Sequence, residues 1–241
     1  MPLTSTTRYT SALITRLFAK RLLSCALIAC ALTLAGCQSR GHAEGRVNAA
    51  AAAAPAVAPA QTAMPDRERE WERAKQEAVN QRPMKLPLVN PEIVVEKGAR
   101  RLKLFSGGEA VRTYRVVLGF APEGDKEKQG DGRTPEGTFY VCVKNDKSAF
   151  YLSLGLSYPN EEDAARGLRD GLITRRQSET IARAIKRRGR PLWDTALGGE
   201  IFIHGGGTNN DWTSGCVALE NEQIKELFAA VPMGTTVRIE P

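Results

Sequence analysis

The sequence is poor in the side chains that bind metals or form disulfides. Its 241 residues include two histidines and five cysteines. A zinc site needs three or four ligands brought together, and the widely spaced cysteines with so little histidine do not meet that need. The cysteine pattern also lacks the density of a small disulfide-stapled scaffold. We therefore expect a fold held by an apolar core, with no metal and no cofactor.

The sequence also lacks an apolar run long enough to predict a mature membrane-spanning helix. The run Leu22–Leu34 has thirteen residues, whereas a spanning helix needs about 20. A basic segment precedes it, small residues follow it, and the first 36 residues contain no acid. This order is typical of a secretory signal, so we predict a signal peptide over residues 1–36.

Outside this segment, the excess of positive over negative charge is small. The formal net charge is +7, from 34 basic and 27 acidic side chains. Four of the basic groups lie in the first 36 residues, which leaves 30 against 27, a balance of +3. The basic stretch at residues 166–190 has no interleaved aromatics, so we expect no nucleic-acid partner. That stretch is either a solvated helical face or a mobile lid that meets an acidic polymer or anionic headgroups.

The end of the signal resembles a bacterial lipobox. Its residues are Leu34, Ala35, Gly36 and Cys37. The resemblance implies that Cys37 becomes the lipidated first residue, on the periplasmic side. Because the next residue is glutamine rather than aspartate, it also implies sorting to the outer membrane of a Gram-negative bacterium. An ordinary signal peptide with a chance cysteine is the alternative.

Composition divides the rest of the chain into three parts. Residues 37–65 are rich in alanine and proline and predict a disordered tether. Residues 66–86 are charged, with Trp71, Ala74 and Ala78 at helical spacing, and predict a short helical extension. Residues 87–241 predict one mainly β domain, a mixed β-sandwich or barrel with a helical insertion and a late C-terminal helix. The expected strands are 92–95, 101–105, 113–118, 138–143, 148–156, 201–204 and 235–239, and the expected helices are within 160–190 and after a cap at Asn221.

The stretch from Ile201 to Glu220 contains the residues best suited to chemistry. His204 is the one histidine outside the tether, and Cys216 follows twelve positions later. An imidazole can take the proton of a thiol and so create a nucleophile. The N–H groups of Gly215 and Cys216 are candidates for an oxyanion hole, and the carbonyl of Gly205 is a candidate to orient the imidazole.

This arrangement, His-Gly followed by a loop and Ser/Thr-x-Gly-Cys, resembles the YkuD-type L,D-transpeptidase catalytic domain. Similar segments occur at residues 131–139, 154–160 and 193–205, so the resemblance covers about residues 90–240. It implies that Cys216 attacks the amide between the third and fourth residues of a peptidoglycan stem peptide, with His204 as proton acceptor and Gly205 as its orienting group. An amine acceptor would complete transpeptidation, whereas water would make the protein a carboxypeptidase or amidase.

The sequence departs from the family pattern near the cysteine. A serine, Ser214, stands where many members have a second histidine, and Ala218 stands where an arginine is common. The short separation between histidine and cysteine also changes one wall of the cleft. These differences put the substrate in doubt and leave open a module of the same fold that binds murein without turnover.

Several other residues are candidates for substrate contact, namely Ser214, Trp212, Thr213, Tyr158 and Arg133. The alternatives are packing for Trp212 and Tyr158, a simple turn serine for Ser214, and a solvated charge or structural ion pair for Arg133. Cys142 is expected to pack in a strand, with a disulfide to Cys216 as the alternative. The sequence gives no indication of oligomeric state.

Overall fold

The computed structural model describes residues 66–241. The predicted signal peptide (1–36), the tether (37–65) and the lipidation site Cys37 lie outside the described residues. Within residues 66–241, no helix combines the length and apolar character that a membrane crossing requires.

The described chain contains eight strands and four helices. The strands are β1 Glu92–Glu96, β2 Arg101–Ser106, β3 Glu109–Arg115, β4 Gly137–Ser148, β5 Tyr151–Leu156, β6 Phe202–His204, β7 Val217–Ala218 and β8 Thr236–Glu240. The helices are α1 Asp66–Gln81, α2 Glu161–Arg169, α3 Arg175–Lys186 and α4 Asn221–Ala230.

All eight strands belong to one mixed sheet with the order β3-β2-β1-β8-β4-β5-β6-β7. The pairs β1–β8 and β6–β7 are parallel and the others are antiparallel. The first residues of β4, Gly137 to Tyr140, pair with β8, and the residues from Val141 onward pair with β5. Val117, just after β3, forms a bridge with Ala218 of β7. The two ends of the sheet therefore meet, and the predicted mainly β, barrel-like fold is confirmed.

Alternating apolar residues explain which face of the sheet is buried. In β2, Leu102 and Leu104 are completely buried, and in β8 the pair Val237 and Ile239 follows the same period of two. Helix α4 covers strands β5 and β6 and adds Ile224 and Leu227 to the same core. Each such side chain stabilises the fold by roughly 1.5–3 kcal/mol.

The helical insertion consists of α2 and α3, which pack on each other. The side chain of Asn160 caps α2 and that of Thr174 caps α3, as expected for these residue types. A separate small core, which includes Ile173, Ile181 and Leu197, holds the two helices. The insertion is thus an independently packed unit on the main domain.

One local prediction about the helices needs correction. Asn221 does not cap α4, because the N-cap is Glu220, and the side-chain Oδ1 of Asn221 accepts the N–H of Gly206 at 3.0 Å. Helix α1 lies on the surface, where Trp71 is 68% exposed. It is held at Asn80, whose side-chain amide bonds to both the N–H and the C=O of Thr113 on strand β3.

The hairpin strand β3 also begins earlier than predicted. The expected strand started at Thr113, whereas pairing with β2 starts at Glu109, directly after the glycine turn. A register shift between Leu104 and Phe105 lets the polar residues after the turn join the ladder.

Candidate active site

His204 is the last residue of β6 and is almost completely buried, at 3% exposure. Its Nδ1 lies 2.6 Å from the carbonyl oxygen of Gly205. Because a carbonyl only accepts, the proton of a neutral imidazole lies on Nδ1, and Nε2 is left as the proton acceptor. The contact has the geometry that the expected orienting role of Gly205 requires.

Aromatic rings enclose the imidazole. Phe150 stacks on His204 with ring centroids 4.6 Å apart, and Trp212 meets it edge-on at 5.6 Å. Burial lowers the pKa of His204 below its ordinary value of 6.5, and the contact with Gly205 only partly opposes this effect. The imidazole is therefore neutral near pH 7 and competent as a base.

Cys216 directly precedes β7, the strand that pairs with β6. Ile203 pairs with Val217 and His204 pairs with Ala218, so Cys216 stands two positions before the partner of the histidine. The pairing of β6 with β7 therefore places the two predicted catalytic residues in neighbouring segments of the sheet.

The sulfur makes its hydrogen bonds to backbone groups at the start of β6. Sγ accepts the N–H of Phe202 at 3.4 Å and donates to the carbonyl of Glu200 at 3.6 Å. The described chain, which includes both residues, shows no hydrogen bond between Sγ and His204. A contact between the thiol and Nε2 must form before the proton can pass to the base.

The resting thiol is protonated. Burial raises the pKa of Cys216 to about 11, and the nearby carboxylate of Glu200 adds to this effect, while the Phe202 N–H and the charge of Lys126 oppose it. The histidine has a lowered pKa, so the stable pair is a neutral thiol with a neutral imidazole. This differs from a preformed thiolate and imidazolium.

The turn before the nucleophile corrects two predictions. The N–H of Gly215 donates to Thr213 Oγ1 at 3.1 Å, and Thr213 Oγ1 donates to the carbonyl of Cys216 at 2.8 Å. Gly215 is therefore not a free oxyanion donor, and Thr213, at 4% exposure, braces the turn instead of contacting substrate. The N–H of Cys216 has no partner among residues 66–241, so it stays available as a donor from this turn.

Tyr158 and Arg133 also differ from their expected roles. Tyr158 is completely buried, packs against Phe139 and donates its hydroxyl to the carbonyl of Leu197 at 3.0 Å. The Arg133 guanidinium pairs with Glu127 at 3.1 Å, within its own loop. Tyr158 therefore does not line the cleft, and the side chain of Arg133 is already engaged.

The remaining candidates lie where contact with a ligand is possible. Ser214 is exposed and Trp212 is half-buried beside His204. Cys142 is buried and both cysteines are free, so the alternative of a disulfide is wrong. Phe150 was not found from the sequence, because it lies far from His204 along the chain, in the turn between two strands.

Replacing Gly215 with alanine is expected to damage both stability and reactivity. Its φ is +131°, and an added Cβ would lie 2.7 Å from the carbonyl oxygen of Arg133. We expect a loss of about 1–3 kcal/mol in the free energy of unfolding, measured by denaturant titration, together with slower alkylation of Cys216. Gly108→Ala is the matched control, because Gly108 also has a positive φ but open space around it. Equal losses in both variants would contradict the close contact with Arg133.

Comparison with known proteins identifies the family of the chain. The family model of the YkuD L,D-transpeptidase catalytic domain matches residues 90–239. The chain belongs to this family. The search of curated proteins found no significant match.

Several solved structures are similar to the chain at low identity. The helical cell shape determining protein Pgp2 from Campylobacter jejuni is 19% identical, with 70% of this chain and 55% of that one covered and a TM-score of 0.43. An L,D-transpeptidase from Xylanimonas cellulosilytica is 16% identical, with 70% and 69% covered and a TM-score of 0.38. An L,D-transpeptidase from Mycobacterium smegmatis is 11% identical, with 63% and 59% covered and a TM-score of 0.38. The chain thus spans between about half and two thirds of the length of these proteins.

Proposed function

We propose that the protein is a cysteine acyltransferase that acts on peptidoglycan stem peptides. The observation that carries the proposal is the imidazole of His204, with Nδ1 fixed by Gly205, on the strand that pairs with the segment directly after Cys216, in a chain of this family. No other histidine occurs in the described residues, so His204 is the base that the thiol can use.

The reaction starts from the neutral pair. The thiol turns from Glu200 toward Nε2 of His204, which accepts its proton as sulfur bonds to the carbonyl carbon of the amide between the third and fourth residues. The carbonyl oxygen becomes an oxyanion and accepts the N–H of Cys216. The carbon–nitrogen bond then breaks, and the imidazolium returns the proton to the departing amine. A thioester remains on Cys216.

The thioester has two possible fates. An amine from another stem peptide or from a protein lysine would yield a new amide, whereas water would yield a carboxylate and make the protein a carboxypeptidase or amidase. In both cases His204 removes a proton from the attacking group.

A module that binds murein without turnover is the second candidate. The observation in its favour is the sulfur itself, which is directed toward Glu200 and has a raised pKa near 11. A protein that never forms a thiolate would tolerate this arrangement.

We also propose a location for the protein. The lipobox-like sequence and the alanine- and proline-rich tether support lipidation at Cys37 and attachment to the periplasmic side of the outer membrane. Metabolic labelling with a fatty acid, compared between the parent and Cys37→Ala, tests the anchor.

Intact-protein mass spectrometry with a carbapenem distinguishes the two candidate functions. A thiol activated by His204 opens the strained lactam, so a stoichiometric adduct is expected, and Cys216→Ala should not form it. Digestion of murein with the protein, followed by separation of the fragments, then shows whether cross-links form or stems are trimmed. Retained murein binding with no adduct would favour the binding module.

A further inference from the structure

A groove of about 610 Å³ opens between the helical insertion and the segment that precedes β6. It is bounded on one side by the end of α3 and on the other by the turn before Ile201. The charged and aromatic residues that line it are Arg187, Arg190, Trp193, Asp194 and Glu200.

The groove adjoins the nucleophile. The backbone carbonyl of Glu200, one of its lining residues, lies 3.6 Å from Cys216 Sγ. A ligand group next to the reacting sulfur can therefore extend into this groove. One residue of peptide spans at most about 3.6 Å, so the group just beyond the attacked amide would lie at this end of the groove.

The N–H donors of the two arginines in the groove are unused. Across residues 66–241, the guanidinium groups of Arg187 and Arg190 make no hydrogen bond and no ion pair. Arg190 lies over the ring of Trp193, 4.9 Å from its centroid, a contact that leaves its N–H donors unused. The neighbouring Arg188 differs, because it donates to the carbonyl of Gly234 at 2.6 Å and stacks on Tyr140.

The groove carries charges of both signs. The exposed carboxylates of Asp194 and Glu200 keep the groove close to neutral overall. The groove therefore favours a ligand with one anionic group in direct contact with the guanidinium donors, rather than a general polyanion. A carboxylate matches the planar fork of arginine.

We propose that Arg190, assisted by Arg187, binds the C-terminal carboxylate of the acyl-donor peptide. The inference rests on the proposed function, since it places the amide under attack beside Cys216. It assigns substrate recognition to the basic segment at the end of the insertion.

Binding to full-length Cys216→Ala protein tests the proposal without turnover. The two probes are a stem tetrapeptide with a free C-terminal carboxylate and the same peptide with a C-terminal amide, titrated by calorimetry at pH 7. We expect the free acid to bind about tenfold or more tightly than the amide, as for a charge-assisted bidentate contact. Adding Arg190→Gln should remove this preference, and Arg190→Lys should restore part of it.

Lys186→Gln is the matched control, because Lys186 is an exposed cation at the nearby end of α3 that does not line the groove. It should keep the full preference for the free acid. The proposal is overturned if the parent does not distinguish the two peptides or binds neither, if Arg190→Gln keeps the preference, or if Lys186→Gln lowers it equally. A preference for the acid in a protein that forms no carbapenem adduct would refute the proposed catalysis and leave the carboxylate site intact.

Discussion

Replacing Cys216 with alanine is expected to lower the rate of acyl transfer by a factor on the order of 10⁴ or more, since no covalent intermediate can form. The remaining rate would come from binding and from the N–H of residue 216 alone. The measurement is release of the fourth residue from a purified stem tetrapeptide, followed by mass spectrometry.

Cys142→Ala is the matched control for this loss. Cys142 is the other free thiol of the described domain and is buried, with a pKa that burial raises to about 11. Its replacement should cost some stability but leave the rate constant per folded molecule unchanged. A Cys216→Ala variant with normal turnover would refute the thioester mechanism.

The second large effect is expected at His204. His204→Ala should lower kcat/KM by about 10²–10⁴-fold, the usual contribution of a positioned general base. In the parent, activity should be lost as the pH falls through the pKa of His204, because the protonated imidazole cannot accept the thiol proton. Since burial lowers this pKa, the midpoint of the acid limb should lie below 6.5. Stopped assays from pH 4 to pH 9 would locate it.

Phe150 offers an independent check of that pH dependence. Its ring covers one face of the imidazole, so Phe150→Ala admits water and should move the acid limb to higher pH, toward the ordinary value. A structural defect alone would lower the rate at all pH values and leave the midpoint in place. If His204→Ala kept the same acid limb as the parent, the group that titrates would be another residue.

The strand pattern and the chemical pair could be predicted because each has a local signature. The alternation of Leu102 and Leu104 with polar residues predicts a half-buried strand. A histidine and a cysteine beside short strands can be recognised from the sequence as a candidate catalytic pair. The contact between Nδ1 of His204 and the carbonyl of Gly205 involves adjacent residues, so it too could be expected from the sequence.

The details that the sequence could not provide depend on contacts between distant segments or on competition for one donor. Phe150 reaches His204 only because β5 pairs with β6. From the sequence, the N–H of Gly215 was a reasonable candidate for the oxyanion hole. In the structure it donates to Thr213 Oγ1 instead. Tyr158 lies in a segment that matches the family, yet its hydroxyl is used inside the domain.

The side-chain amide of Asn80 has a consequence for how the edge of the sheet meets other copies of the protein. Strand β3 is an outer strand of the sheet, and an unpaired strand edge invites a neighbouring chain to add to it. Asn80 occupies both backbone groups of Thr113 on that edge, so α1 lies where an intruding strand would have to begin. Helix α1 thereby also protects the sheet edge at Thr113 from edge-to-edge pairing with another chain.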